Sequence, residues 1–176
     1  GLVHDMAYEA MRVVNPYILA AYQFKRDRLS RDFTATLEIV RRELDDHHSQ
    51  YAPWLHNLWG MVLYQQNDRQ GAIHQFEEAS HLDPAFLSPR LNIGVVKARL
   101  GEHDQAIVKF KEVVNHPAAA QNPAVTAAAL GEWGFSLALT GRIDEAYAKF
   151  DAATRADPNY SDVYSSWAEV LSAQGR

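Results

Sequence analysis

The chain has 176 residues, 47% of them hydrophobic and 22% charged, with 9 Gly and 7 Pro; this globular composition excludes a disordered, collagen-like or low-complexity chain. Lys plus Arg number 17 and Asp plus Glu 22, a net charge of −5, which speaks against nucleic acid or an anionic membrane as the main partner. The absence of cysteine excludes disulfides, thiolate metal sites and cysteine catalysis, and no apolar run approaches the roughly 18 residues that a membrane helix needs.

The opening Gly1-Leu2-Val3-His4-Asp5 lacks the basic-then-apolar pattern of a secretion signal. A soluble chain of cytoplasm or periplasm is expected. Self-comparison then shows an internal repeat. Gly60, Gly94 and Gly134 are separated by 34 and 40 residues, as are Ala72, Ala106 and Ala146, and Phe76, Phe110 and Phe150. Trp59, Ile93 and Trp133 follow the same spacing, and Trp167 lies 34 beyond Trp133. Gly101, Gly141 and Gly175 are spaced by 40 and 34.

In chain order, residues 2–15, closed by Asn15-Pro16, read as the second helix of a partial unit spanning 1–16. Residues 17–52 read as a degenerate repeat. There Arg31-Asp32 through Glu38 parallels Asn67-Asp68 through His74 at an offset of 36, but no glycine marks the first helix. Residues 53–86 form a full unit. His56, Trp59, Gly60 and Leu63 share one helix face, and Ala72, Phe76 and Ala79 share a face of the next. Gly60 lets the two helices approach closely and Phe76 fills the wedge between them. Asn67, like Gly101 and Gly141 later, supplies the left-handed residue of the turn, and Asp83-Pro84 stops the second helix. Residues 87–126 form a repeat lengthened by six residues, the extra ones falling near 116–123 as a loop. Residues 127–160 form a repeat ending at Asp157-Pro158. Residues 161–176 supply one more first helix, either a terminal cap or the start of a truncated repeat; Asp162, Ser165, Ser166, Glu169 and Ser172 give it the polar face of a cap.

The order Trp59, Gly60, Leu63, Ala72, Phe76, Ala79, Pro84 resembles the tetratricopeptide repeat (TPR). Ile93, Gly94, Ala106 and Phe110, then Trp133, Gly134, Leu137, Ala146, Phe150, Ala153 and Pro158, then Trp167, Ala168 and Leu171 extend the resemblance over about 124 of the 176 residues. It implies an all-α, right-handed superhelical solenoid of antiparallel helix hairpins. It also implies that the first helices line a concave groove for a peptide or a partner helix.

Helical spacing says which residues would face that groove. They are Trp54, Asn57, Leu58, Met61, Tyr64 and Gln65, then Ser88, Leu91, Asn92, Val95 and Arg99, then Ala128, Gly131, Glu132, Phe135 and Leu139, and finally Asp162, Ser165, Ser166 and Glu169. The peptide-binding set expected from these is Trp54, Asn57, Met61, Tyr64, Leu91, Asn92, Val95, Arg99, Glu132 and Phe135. The face is apolar at first and becomes acidic towards the C-terminus, which suits a partner with apolar anchors followed by Lys or Arg. Two alternatives stand beside it: Trp54 and Tyr64 packing on the degenerate unit, or the first helix, with Met6, Tyr8, Met11 and Val14, folding into the groove. A carboxylate clamp of the kind some such arrays use is not expected, because Glu132 stands where positive charge would be needed.

Catalytic signals are absent from the spacing. His47 and His48 are adjacent and diverge on a helix, and His74 and His81 are seven apart; no metal-binding helix motif or phosphate loop occurs. Lys25-Arg26-Asp27-Arg28-Leu29-Ser30-Arg31, with Arg41-Arg42, is the one basic cluster, read as a solvated helix face or a contact for an acidic protein. The expectation is a non-enzymatic scaffold or adaptor without cofactor or metal, binding a protein or peptide and neither nucleic acid nor a membrane interior. Self-association through open repeat ends is a further expectation. The alternative is a substrate-recruiting segment of a larger enzyme such as a glycosyltransferase.

Overall fold

The computed structural model describes residues 15–45 and 49–173. Apart from Asn15 and Pro16, the helix expected over 1–16 lies outside the described residues, as do His47, His48 and 174–176. The described residues are all-α, with no strand among them. They fall into two compact units, one ending at Asp83 and one beginning at Pro84.

The first unit contains α1 (Pro16–Ser30), α2 (Thr34–Leu44), α3 (Ala52–Gln65) and α4 (Arg69–Leu82). The Asn15 side chain accepts from the Ile18 amide at 3.2 Å, and Pro16 opens α1, the pairing that satisfies an orphan donor and presets the backbone. Asp68 does the same for α4, accepting from the Gly71 amide at 2.9 Å. The hairpins α1–α2 and α3–α4 pack on each other through α2 and α3 and through α1 and α3. Their common core holds Leu19, Phe24, Phe33, Ile39, Val40, Leu55, Leu58 and Val62.

The second unit contains α5 (Leu87–Arg99), α6 (His103–Val114), a 3-10 turn (Pro117–Gln121), α7 (Pro123–Leu139), α8 (Ile143–Ala156) and α9 (Ser161–Ala173). Helices α5–α6 and α7–α8 are hairpins, and α9 packs on both α7 and α8. One cluster is built on Leu87, Ala106, Phe110 and Val113, another on Leu130, Leu137, Phe150 and Val163. The six extra residues are not an irregular loop. His116 Nδ1 accepts from the Ala118 amide at 3.1 Å, Thr126 donates to the Ala119 carbonyl at 2.9 Å, and Ala119 is buried against the hairpin core.

Three of the hairpin turns are built alike. Asn67, Gly101 and Gly141 have φ of 67°, 79° and 80°. The amides just after them, on Asp68, Glu102 and Arg142, bond back to the carbonyls of Leu63, Lys97 and Leu137 at 2.9, 3.0 and 2.9 Å, the long-range bond of a Schellman turn. The degenerate unit keeps the left-handed residue at the same register, as Arg31 with φ 59°.

The glycine series is explained by the phenylalanine series. A Cβ on Gly60 would lie 2.6 Å from the Phe76 ring, one on Gly94 2.5 Å from the Phe110 ring, and one on Gly134 2.8 Å from the Phe150 ring. In each hairpin the ring of the second helix therefore lies against bare backbone of the first. In residues 17–52 the sizes are exchanged. Offset by 36, Phe24 stands at the Gly60 register and Val40 at the Phe76 register, and both are buried. The same offset sets Asp27 against Leu63 and Thr36 against Ala72. Asp27 is 6% exposed and accepts from the Thr36 amide at 3.1 Å, the Thr36 hydroxyl at 2.7 Å and Gln23 at 2.7 Å. A polar contact replaces an apolar one at that hairpin crossing, and every partner is satisfied.

Candidate functional site

The first helices α3, α5 and α7 place the expected binding residues, which divide between the two units. In the first unit Trp54, Asn57, Met61 and Tyr64 lie on α3. Trp54 is half-buried, its ring 6.5 Å from Tyr17 of α1. Asn57 is 7% exposed with its amide 3.8 Å from the Met61 sulfur, and Met61 packs against the core. Tyr64 lies under the Arg69 guanidinium, 4.3 Å from its ring centre. Asn57 thus belongs to the packed layer of this face, while Trp54, Met61 and Tyr64 keep part of their surface.

In the second unit Leu91 and Val95 of α5 are half-buried against one apolar cluster, and Phe135 of α7 against the other. Asn92 is half-buried and Arg99 exposed on α5. Glu132 of α7 is partly buried and makes no hydrogen bond or ion pair with any described residue. Burial holds its carboxyl above the ordinary carboxylate range; Arg99 pulls it back and Asp162 at the start of α9 pushes it further up. The Tyr160 hydroxyl is raised as well, first by burial and then by the charges of Asp162 and Glu132. The face therefore joins apolar side chains to a desolvated carboxylate without a cation in contact, a combination that attracts an incoming positive group.

The raised carboxyl has a consequence for stability. The folded protein holds the Glu132 proton more tightly than the unfolded chain does, so this residue weakens the fold at neutral pH and the penalty fades as the pH falls through the folded-state value. Glu132→Gln should accordingly melt higher than the parent at pH 7, with the two melting points converging on acidification. A constant difference across the pH range would show that the carboxylate carries no such penalty.

The same registers also fall on α1, where spacing named no residue. Shifting the groove registers Trp54, Leu58, Met61 and Gln65 back by the offset of 36 gives Ile18, Tyr22, Lys25 and Leu29 on α1. Ile18, Tyr22 and Leu29 are exposed, Leu29 by 90%. The degenerate unit hid them because it has no glycine to set the register. Among the described residues no group of three His, Asp or Glu side chains is placed to hold a metal ion, and no helix is long and apolar enough to cross a membrane.

No family model and no curated protein sequence matches the chain. Solved structures do resemble it. A crystal structure of MamA, a TPR-like helical solenoid, superposes with a TM-score of 0.62 at 17% identity, over 89% of this chain and 88% of that one. The MamA RS-1 ArsTM double mutant gives 0.59 at 15% identity, over 91% and 95%. A further MamA crystal structure gives 0.57 at 18%, over 89% and 82%. At these identities the likeness is one of fold: TPR-like helical hairpins.

Proposed function

We propose that the chain is a tetratricopeptide-type interaction module without catalytic activity, which binds a peptide or an amphipathic helix on the faces of its first helices as a scaffold or adaptor. What supports this is the second-unit face, where the half-buried Leu91 and Val95 of α5 and Phe135 of α7 lie on two helices that pack together, one of which also carries the desolvated Glu132. A carboxylate that weakens its own fold is accounted for by a bound cation, much as strain elsewhere is retained at functional sites. Apolar anchors would supply most of the affinity, and the acidic edge would set orientation and on-rate. In the first unit Trp54, Met61 and Tyr64 offer the corresponding apolar surface. The repeat architecture supports the reading, since hairpin stacks present extended faces and few enclosed cavities.

The test is selection from a displayed peptide library. Selected sequences should carry apolar residues followed by Lys or Arg. They should bind the variant Met61→Glu with Val95→Glu at least ~30-fold more weakly, the loss of one strong anchor, with helicity unchanged. Glu132→Lys should weaken binding less, and chiefly at low salt. Selected peptides that bind the double variant as well as the parent would remove these faces as the site.

A further inference from the structure

The last described helix, α9, is fastened along one side. Val163 and Val170 are buried in the cluster of α7 and α8, and the Trp167 ring lies 5.9 Å from that of Phe150 and 6.3 Å from that of Tyr147. The other side carries Tyr164 and Ala168, which stand 34 residues beyond Leu130 and Gly134. In α7 those two registers are buried, Gly134 under the Phe150 ring of α8. In α9 Tyr164 is 49% exposed and Ala168 is exposed, with no described helix over them. A helix held by one stripe opens at a lower free-energy cost than one packed on two.

The fastening carries a charge conflict. Helix α9 meets α7 where a Cβ on Gly131 would lie 3.7 Å from the Val163 side chain. The residues next in sequence to this contact are Glu132 on α7 and Asp162 on α9, so like charges flank the crossing. Glu132 is the one charged residue of α7 and is half-buried, where water screens repulsion less than at an open surface. Helix α5 supplies Arg99 to it, exposed at the helix end, and the turn before α9 supplies the Tyr160 hydroxyl. From α6 and α8, Lys111 and Lys149 lie over the neighbouring Trp133 ring instead, 5.4 and 3.8 Å from its centre. The 3-10 turn has no ionisable side chain. Burial raises the Glu132 carboxyl, Arg99 lowers it and Asp162 raises it. The net shift is upward, so Glu132 takes up a proton before an ordinary glutamate does as the pH falls.

We infer that α9 is a strap whose hold on α7 is set by the charges at this crossing: it loosens while Glu132 and Asp162 are both ionised and tightens when either is neutralised. Acid is the trigger, acting at Glu132. Tightening leaves Val163, Trp167 and Val170 in place and withdraws only the repulsion that works against them. The device stands whether or not a peptide binds the second-unit face, because both carboxylates and their contact belong to the chain itself.

Hydrogen–deuterium exchange of the full chain tests this at pH 7, read on the amides of α9 with those of α4 as reference. Asp162 lies in the first turn of α9, where a carboxylate also favours the helix dipole. The decisive readout is therefore the coupling in a cycle of Glu132→Gln and Asp162→Asn. Glu132→Gln should slow α9 exchange. Asp162→Asn should be at least ~3-fold more protective with Glu132 in place than when added to Glu132→Gln. Arg99→Gln should speed α9 exchange in the parent and change nothing in Glu132→Gln. Acidification, with rates corrected for the intrinsic pH dependence of exchange, should slow α9 in the parent alone, and α4 should not respond to any of these changes. Equal effects of Asp162→Asn in both backgrounds overturn the inference, as does an acid response that survives Glu132→Gln. Loss of helicity in either variant overturns it too, since the charges would then support the fold instead of opposing it.

Discussion

Gly94→Leu should lower stability by about 1–3 kcal/mol or more, and Phe110→Ala by about 3–5 kcal/mol, yet the double variant should be far less damaged than the two losses summed. The reason is one shared volume. The Phe110 ring is 0% exposed and sits where a Gly94 side chain would go, its Cε1 2.5 Å and Cδ1 2.8 Å from the Cβ position. A leucine there cannot displace the ring into solvent without opening the cluster around Leu87, Ala106 and Val113. Removing the ring opens a cavity in the same place, which the leucine can fill in part. Urea denaturation of the four proteins gives the coupling directly. Additive losses would mean that the glycine and the phenylalanine do not form one packing unit.

The second large effect lies in the degenerate hairpin. Asp27→Leu should cost about 1–3 kcal/mol, because it leaves the buried Thr36 hydroxyl and amide without their acceptor. Adding Thr36→Ala should recover the part of that loss due to the orphaned hydroxyl, while the residue 36 amide stays without its acceptor. The pair Leu and Ala is what the next unit carries as Leu63 and Ala72, and replacing both members of a buried polar contact by apolar groups is often close to neutral. Thr36 is 0% exposed, so water cannot rescue the single variant. If the double variant were as weak as Asp27→Leu alone, the polar pair would be doing more than substituting for an apolar crossing.

These two sites mark where the sequence was and was not legible. Gly94 with Phe110 recurs as Gly60 with Phe76 and Gly134 with Phe150, so spacing alone exposes the contact and with it the antiparallel hairpin. The turns were legible for the same reason: Asn67, Gly101 and Gly141 are residue types that tolerate positive φ. Residues 17–52 were harder, because Phe24 and Val40 put the larger side chain of the crossing on the first helix instead of the second, and Arg31 takes a conformation its side chain does not advertise. The extra residues 116–123 suggested a loop, yet Pro117 and the caps from His116 and Thr126 wind them into a 3-10 turn. On the candidate faces, helical spacing assigned side chains to registers. It could not separate the packed Asn57 from the more open Trp54, nor foresee that Glu132 would be desolvated, since both depend on how far neighbouring helices cover each position.

In all four described hairpins the two residues of the crossing are sixteen apart in sequence: 24 and 40, 60 and 76, 94 and 110, 134 and 150. Bringing each pair together closes a loop of the same length, so the entropy of closure is the same for each. The order in which hairpins form is then set by the quality of each crossing, and contacts this local favour rapid formation. A chain of this kind has several interchangeable starting points for folding. Damage to one crossing weakens the finished structure while leaving the others free to nucleate it.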